Sequence, residues 1–307
     1  MSGLLSLRPS HVLADPAGSA MVVVDSVVRN VTAEAWFYGQ FLAAIALGLA
    51  LDLVRRRDLR KRYGSKSVRV DAIYGALELL HVVQFVVILP FGLVVTRALQ
   101  TWTPWLEVKT LADLPAWAQL VIMFVITDFC VYWWHRFQHQ SKIVWQFHKT
   151  HHSQVNLNVM TTFRATVIDR LVALTVLAVP AAAMKVDAAM PVAIAAVLQF
   201  HQLIIHSDTG WSFGPLGRIF VSPSFHEVHH SSLEPHLDKN YGGVLSIWDR
   251  LFGTLTPRGD QELVYGLVAE RLPEAWFKQQ LVPVFGLWRL FRERAGPASA
   301  RSPEPAA

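Results

Sequence analysis

Histidines spaced for single helix faces, standing at the ends of apolar runs, constrain this chain more than any other feature. Eleven of its thirteen histidines lie between His135 and His236. They form the groups His135-Arg-Phe-Gln-His139, His148-Lys-Thr-His151-His152 and His226-Glu-Val-His229-His230, with His206 between the second and third. On a helix, residues three and four apart share a face, so each group is expected to aim two or three imidazoles at one point. Packing does not explain that density, because imidazole is an intermediate burial type and the commonest transition-metal ligand. One zinc takes about four ligands. Nine clustered imidazoles therefore predict a pair of metal ions, and nitrogen ligation of this kind suits Fe, Zn, Cu or Ni.

Composition supplies the setting. The chain of 307 residues is 52% hydrophobic and 17% charged, where a soluble domain carries about 25% charge. Apolar runs at 36–54, 71–99, 115–134, 166–184 and 188–205 predict membrane spans. Pro90 predicts a kink in the second. Tyr132-Trp133-Trp134 ends the third with the composition of an aromatic belt. Lys185-Val186-Asp187 is short enough to make the last two runs a hairpin. Residues 55–69 hold eight Lys/Arg against one acid. Between hydrophobic flanks this reads as a cytoplasmic loop rather than a nucleic-acid contact. The lone Cys130 excludes a disulfide framework and any cysteine-rich metal site. The N-terminus lacks the pattern of a secretory signal.

The expected fold is an all-α integral membrane protein. About four to five transmembrane helices carry a cytoplasmic helical cap with a histidine-rich dinuclear metal site. Residues 1–34 form an N-terminal interfacial segment, 35–256 a membrane-embedded catalytic domain, 257–295 a C-terminal amphipathic segment and 296–307 a disordered tail. With the basic loop in the cytoplasm, the third and fifth runs deliver His135 and His206 to that same face. All nine histidines then converge there, although only charge and hydropathy were used to set the topology.

Other residues have narrower expectations. Asp128 lies seven residues before His135, two turns deeper on the same face. It either orients a ligand or makes a helix contact. His201 is a looser neighbour of His206, either a further ligand or, preferably, an ordinary interfacial histidine. His236, in a proline-containing loop, is expected at the surface, and His11 and His81 are structural. Trp133, Trp134 and Phe137 either line a lipid entrance or anchor the interface. Residues 281–291, with Trp288 and Arg289, either lie on the membrane surface or pack on the cap.

The order of these groups resembles the fatty acid hydroxylase / sterol desaturase superfamily. Beyond the histidines, the resemblance rests on His135-Arg136 leading to Trp145 and on His148-Lys149-Thr150-His151-His152-Ser153. It continues through Ser222-Pro223-Ser224-Phe225-His226-Glu227-Val228-His229-His230, Asp238-Lys239-Asn240-Tyr241-Gly242-Gly243 and Trp248-Asp249-Arg250-Leu251-Phe252-Gly253-Thr254. These runs are similar to the alkylglycerol monooxygenase-like and bacterial branches, and cover roughly residues 70–256. The resemblance implies a non-haem di-iron enzyme that uses O2 to hydroxylate or desaturate a membrane lipid. Its ligands would be His135, His139, His148, His151, His152, His206, His226, His229 and His230, with Asp128, His201, Asn240 and Asp249 as possible supports. Iron is the expected metal, and zinc is able to replace it in purified protein. The chain has no flavin or dinucleotide motif and no cysteine cluster. Electrons must come from a separate donor: a ferredoxin or cytochrome b5-like reductase chain, or a pterin. The expected location is a bacterial inner membrane or the endoplasmic reticulum, with the site on the cytoplasmic face and no nucleic-acid partner.

Three rivals remain. His226-Glu227-Val228-His229-His230 contains H-E-x-x-H, the pattern of a zinc protease with Glu227 as base. That reading uses one group and leaves the others unexplained; outside it, Glu227 is a supporting or surface residue. Haem ligation places histidines deep within spans rather than at their ends. Metal transport predicts ionisable residues near the membrane midplane, and few exist beyond Asp128.

Overall fold

The computed structural model describes residues 63–80, 89–102, 114–184 and 189–295, with isolated positions between 39 and 60. The expectations for residues 1–34, His11, most of the 36–54 run, Arg55–Arg57, His81, Lys185–Asp187 and the tail at 296–307 lie outside the described residues. Met1–Leu47 and Gly48–Ala307 form separate compact units, and every element below belongs to the second. The described residues contain helices and no strand; only two isolated bridges, Phe220 with Leu245 and Ser231 with Tyr265, pair extended backbone.

Helix α1 (Lys66–Leu79) starts on Ser65, whose side chain accepts from the Val68 N–H. It closes at Leu80, within the run expected as the second span, and α2 (Leu89–Trp102) follows. The burial of Asp71 explains why this run is not uniformly apolar in its surroundings. Its carboxylate is fully buried and receives Arg164 Nη1 at 2.6 Å, Asn158 Nδ2 at 2.8 Å, Thr161 Oγ1 at 3.1 Å and Gln154 Nε2. A buried charge needs such donors, and here they tie α1 to the segment after the second histidine group.

Helix α3 (Ala116–Gln140) is the one described helix long and apolar enough to cross a membrane. Trp117, Val121, Phe129, Trp133 and Phe137 are exposed on it. Asp128, Tyr132, His135 and His139 recur at the helical period and form its polar stripe. Helix α4 (Trp145–His152) carries the second histidine group. A 3-10 turn at Val159–Phe163, closed by an Asn158–Thr161 capping box, leads into α5 (Val167–Met184), which contains Pro180. Helix α6 (Ala189–Ile205) follows; α5 and α6 coincide with the expected hairpin arms. Helix α3 packs against α4, α5 and α6, and α2 against α5.

The third histidine group lies on α7 (Pro223–His229), capped by Ser222 through the Phe225 N–H and started by a proline at its first position. Helix α7 packs on α6. Helix α8 (Ile247–Leu251) ends near Gly253, whose φ of +71° suits a residue without Cβ. Helices α9 (Trp276–Gln280) and α10 (Val282–Ala295) complete the described chain, and α10 packs on α4.

Candidate metal centre

Helical spacing explains how the imidazoles divide. Successive residues turn by about 100°, so positions i and i+4 diverge by about 40° while i+3 and i+4 diverge by a full 100°. The expectation that each group aims at one point is corrected accordingly. His148 and His152 join His135, His139 and His229 in one group of nitrogens; His151 joins His206, His226 and His230 in the other. In the third sequence group the assignment is reversed, because His226 and His230 act together while His229 crosses over. Within each group the candidate ligand atoms lie within 4.8 Å of one another. The two sequence groups thus cross-stitch both centres.

The tautomers that the ring contacts require fit a cation among these rings. His206 Nδ1 lies 2.7 Å from the Gln202 carbonyl and His151 Nδ1 lies 3.3 Å from the Arg164 carbonyl. A carbonyl accepts only, so both Nδ1 atoms carry the proton and both Nε2 atoms present lone pairs. Those Nε2 atoms face each other at 3.1 Å, and His226 Nε2 lies 3.0 Å from His206 Nε2. Nitrogens held about 2.1 Å from one metal fall about 3 Å apart. In the five-histidine group, Nε2 of His135, His139 and His148 are buried without any hydrogen-bond partner. Orphaned buried acceptors converging on one point fit a metal ion.

Two further carbonyls that set tautomers come from one loop. His135 Nδ1 donates to Tyr241 O at 2.9 Å and His229 Nδ1 to Lys239 O at 2.9 Å. Two buried carboxylates hold that loop. Asp249 accepts from the N–H groups of Tyr241 and Gly242 at 2.7 and 2.8 Å. Asp128 accepts from the N–H groups of Val244 and Leu245 at 2.8 and 3.0 Å, and from Trp248 Nε1 at 2.9 Å. Asp128 therefore makes a helix-to-loop contact and bonds to no imidazole. Asn240, at φ +59°, donates to the Phe225 and Thr256 carbonyls and steadies the same loop. Gly243 permits the close approach, since a Cβ there would stand 2.8 Å from Val131 Cγ1 and 3.1 Å from Asp128 Oδ1.

Sequence reasoning missed Asp169. It takes Gln138 Nε2 at 2.7 Å and lies 3.4 Å from His148 Nδ1. Its position one turn into α5, outside every histidine group, gave no signal. Arg164 was missed as well: its guanidinium donates to the Thr150 carbonyl, closing the end of α4, while its own carbonyl orients His151.

Other expectations resolve individually. His201 stands outside both groups, with Nε2 buried and unpartnered. His236 is buried, not at the surface, bonded to Ser231 Oγ at 3.0 Å and Gln261 Nε2 at 3.0 Å. Tyr132 is fully buried and shares a 2.9 Å hydrogen bond with Thr254, so it is no interface anchor. Glu227 is fully buried too, but its carboxylate turns away from the imidazoles to the Gly210 N–H and to Arg258 Nε at 2.9 Å. A protease base is not available there.

Burial and neighbouring imidazoles hold the titration of His151, His152, His226, His229 and His230 well below the usual histidine range. Neutral rings are the ligating form.

Two cavities reach the centre and share no imidazole. The first, of about 270 Å³, has a mostly apolar surface to which Val131, Trp134, Ala173 and Leu198 of α3, α5 and α6 contribute; Gln138, Asp169, Arg170 and Gln202 also line it, and it touches His135, His148, His151 and His226. The second, of about 300 Å³, is more polar than the first, with Lys142, Asp238 and Glu270 in its lining, and touches His139, His152, His229 and His230. Each touches members of both metal groups. Trp134 thus lines the apolar cavity, whereas Trp133 and Phe137 are exposed outside it.

Residues 120–254 match the fatty acid hydroxylase family. Human alkylglycerol monooxygenase is 36% identical over 172 residues, which is 55% of this chain and 37% of that protein. The Caenorhabditis elegans enzyme of the same name is 32% identical over 193 residues, 61% of this chain and 36% of that protein. Ornithine lipid hydroxylase of Rhizobium tropici is 36% identical over 136 residues, 44% of this chain and 41% of that protein. The chain thus spans well under half the length of these relatives, and no solved structure matches it. The matched segment contains all nine grouped histidines and the loop whose carbonyls orient His135 and His229; through residues 120–254, the chain is similar to the fatty acid hydroxylase family.

Proposed function

We propose that this protein is a membrane-embedded, non-haem di-iron oxygenase that hydroxylates, or desaturates, a lipid C–H bond with O2 and external electrons. The observation that carries this reading is the apolar cavity floored by imidazoles of both metal groups. Relatives named alkylglycerol monooxygenase and ornithine lipid hydroxylase support a lipid substrate.

His135, His139, His148, His152 and His229 would hold one metal, and His151, His206, His226 and His230 the other. Redox metals held there would activate O2 with electrons from the external donor, so that one oxygen atom would enter the C–H bond, or two hydrogens would leave the lipid, and water would form. The protein's own residues do the rest. Val131, Trp134, Ala173 and Leu198 receive an acyl chain and keep water from the reacting carbon. The carbonyls of Tyr241, Lys239, Gln202 and Arg164 keep each Nδ1 protonated, so that each Nε2 points inward. Asp169 holds His148 in the same sense. The polar cavity offers a separate approach for electrons from a reductase chain or a pterin.

In this reading residues 35–256 form the catalytic domain, with 1–34 interfacial, 257–295 an amphipathic addition and 296–307 a tail. The site faces the cytoplasm from a bacterial inner membrane or the endoplasmic reticulum. Comparing the lipids of cells with and without the protein tests the proposal. A lipid gaining one oxygen or losing two hydrogens is expected. Unchanged lipids, or purified protein holding haem or a single zinc, would sink it.

A further inference from the structure

A third cavity, of about 510 Å³, lies apart from the imidazoles, between α4, residues 270–273 and the C-terminal helices α9 and α10. Four cations line it, Lys149, Arg271, Lys278 and Arg289, against one carboxylate, Glu270. Glu270 is already paired with Lys149 at 2.9 Å. The charge of Arg271, Lys278 and Arg289 is therefore balanced by no other acid in the lining.

The same cavity has an apolar wall of Phe277, Leu281 and Phe285. These side chains are 60%, 46% and 59% exposed. Along α10 the apolar stripe continues through exposed Trp288 and Phe291 at helical spacing, and Arg292 lies over the Trp288 ring at 5.2 Å. A contiguous exposed apolar stripe flanked by cations matches a lipid surface.

The two linings together specify one ligand class. Guanidinium and ammonium groups recognise phosphate, but a free phosphate leaves the phenyl rings in water. A zwitterionic lipid covers the rings but brings its own cation to the basic rim. A lipid with a net negative headgroup satisfies both linings. We propose that this cavity binds one anionic phospholipid, its phosphate at Arg271, Lys278 and Arg289 and its chain along Phe277, Leu281 and Phe285.

The site bears on the metal centre through α4. Lys149 lies between His148 and Thr150, and Glu270 lines both this cavity and the polar one beside the imidazoles. Gly286 lets α10 seat on α4, where a Cβ would strike the Gln146 side chain. A lipid held here braces α4 at Lys149. It is distinct from any lipid oxidised in the apolar cavity, and its binding does not depend on metal or catalysis.

Native mass spectrometry of the full chain in detergent, incubated with equal phosphatidylglycerol and phosphatidylcholine, provides the test. One phosphatidylglycerol should be retained, at least about ten-fold over phosphatidylcholine. Arg271→Gln combined with Arg289→Gln should lower that retention about 30-fold, two interfacial cations being lost. Arg218→Gln, an exposed cation elsewhere, should leave it unchanged. Phe285→Ser should weaken phosphatidylglycerol but not glycerophosphate. Equal retention of the two lipids by the unaltered protein overturns the proposal. So does unchanged retention in the double variant, or full displacement by millimolar inorganic phosphate, which would mark an anion site without a lipid.

Discussion

His148 and His151 stand one turn apart on α4, their ring centroids separated by 5.2 Å, yet their nitrogens belong to different groups. The pair distinguishes the two centres experimentally. His148→Ala should empty the five-histidine centre and His151→Ala the four-histidine one. Metal analysis should fall from about two ions per chain to about one in each variant, nine imidazoles being enough for two ions at about four ligands each. Identical spectra from the two singly loaded proteins would contradict the division, because five and four ligands impose different fields.

The loop at 241–245 is suspended from two carboxylates, and its carbonyl at Tyr241 aims His135. Asp249→Ala strands the N–H groups of Tyr241 and Gly242 and the hydroxyl of Thr254. Buried orphaned donors cost about 1–3 kcal/mol each, so a loss of about 3 kcal/mol or more is expected in denaturant titrations. The five-histidine centre should lose metal before the four-histidine centre, whose Nδ1 carbonyls at Gln202 and Arg164 lie elsewhere.

Asp169→Asn keeps the size of the side chain and removes its charge. Gln138 and His148 both lean on that carboxylate. Metal affinity of the five-histidine centre should fall about 10- to 100-fold, read by competition with a chelator, while the melting temperature of the metal-free protein changes little. An unaltered affinity would mean that His148 is aimed by packing alone.

Glu227→Gln separates oxygenase from protease. The carboxylate is bound to Gly210 and Arg258, so the variant should keep both metals and lose about 1–2 kcal/mol of stability from a weakened charged contact. Loss of all lipid oxidation with metals intact would assign Glu227 a chemical part that its geometry does not support.

Acid sensitivity has a definite direction in the metal-stripped protein. An unfolded histidine titrates near 6.5, while burial keeps His151, His152, His226, His229 and His230 neutral to well below that value. Below pH 6.5 the unfolded chain binds more protons than the folded one, so stability falls as pH drops toward the lowered folded values. Each such ring contributes about 1.4 kcal/mol per pH unit in that window; above pH 6.5 these rings contribute no slope. Unfolding midpoints at pH 7.5 and 5.5 provide the check.

What could be read from the sequence follows from periodicity. Runs at 166–184 and 188–205 became α5 and α6 almost residue for residue, because an apolar run of that length has one helical solution. The nine histidines stood out because their spacing is helical. Their division between centres was hidden, since it turns on a 60° difference around a helix axis rather than on which residues share a face. Backbone carbonyls carry no side-chain signature, so the part played by Lys239 and Tyr241 was invisible. Asp71 sat inside an apparent span because hydropathy averages over one carboxylate that Arg164 neutralises from 93 positions away.

The crossing of the histidine groups has a consequence for biosynthesis. The last nitrogen of the first centre belongs to His229 and the last of the second to His230. No contiguous piece of the nascent chain ending before those neighbours holds a full set for either metal. The two groups gain their last imidazoles one residue apart, after α3, α5 and α6 have been made. The growing polypeptide is thereby spared one completed set of imidazoles beside a half-built one.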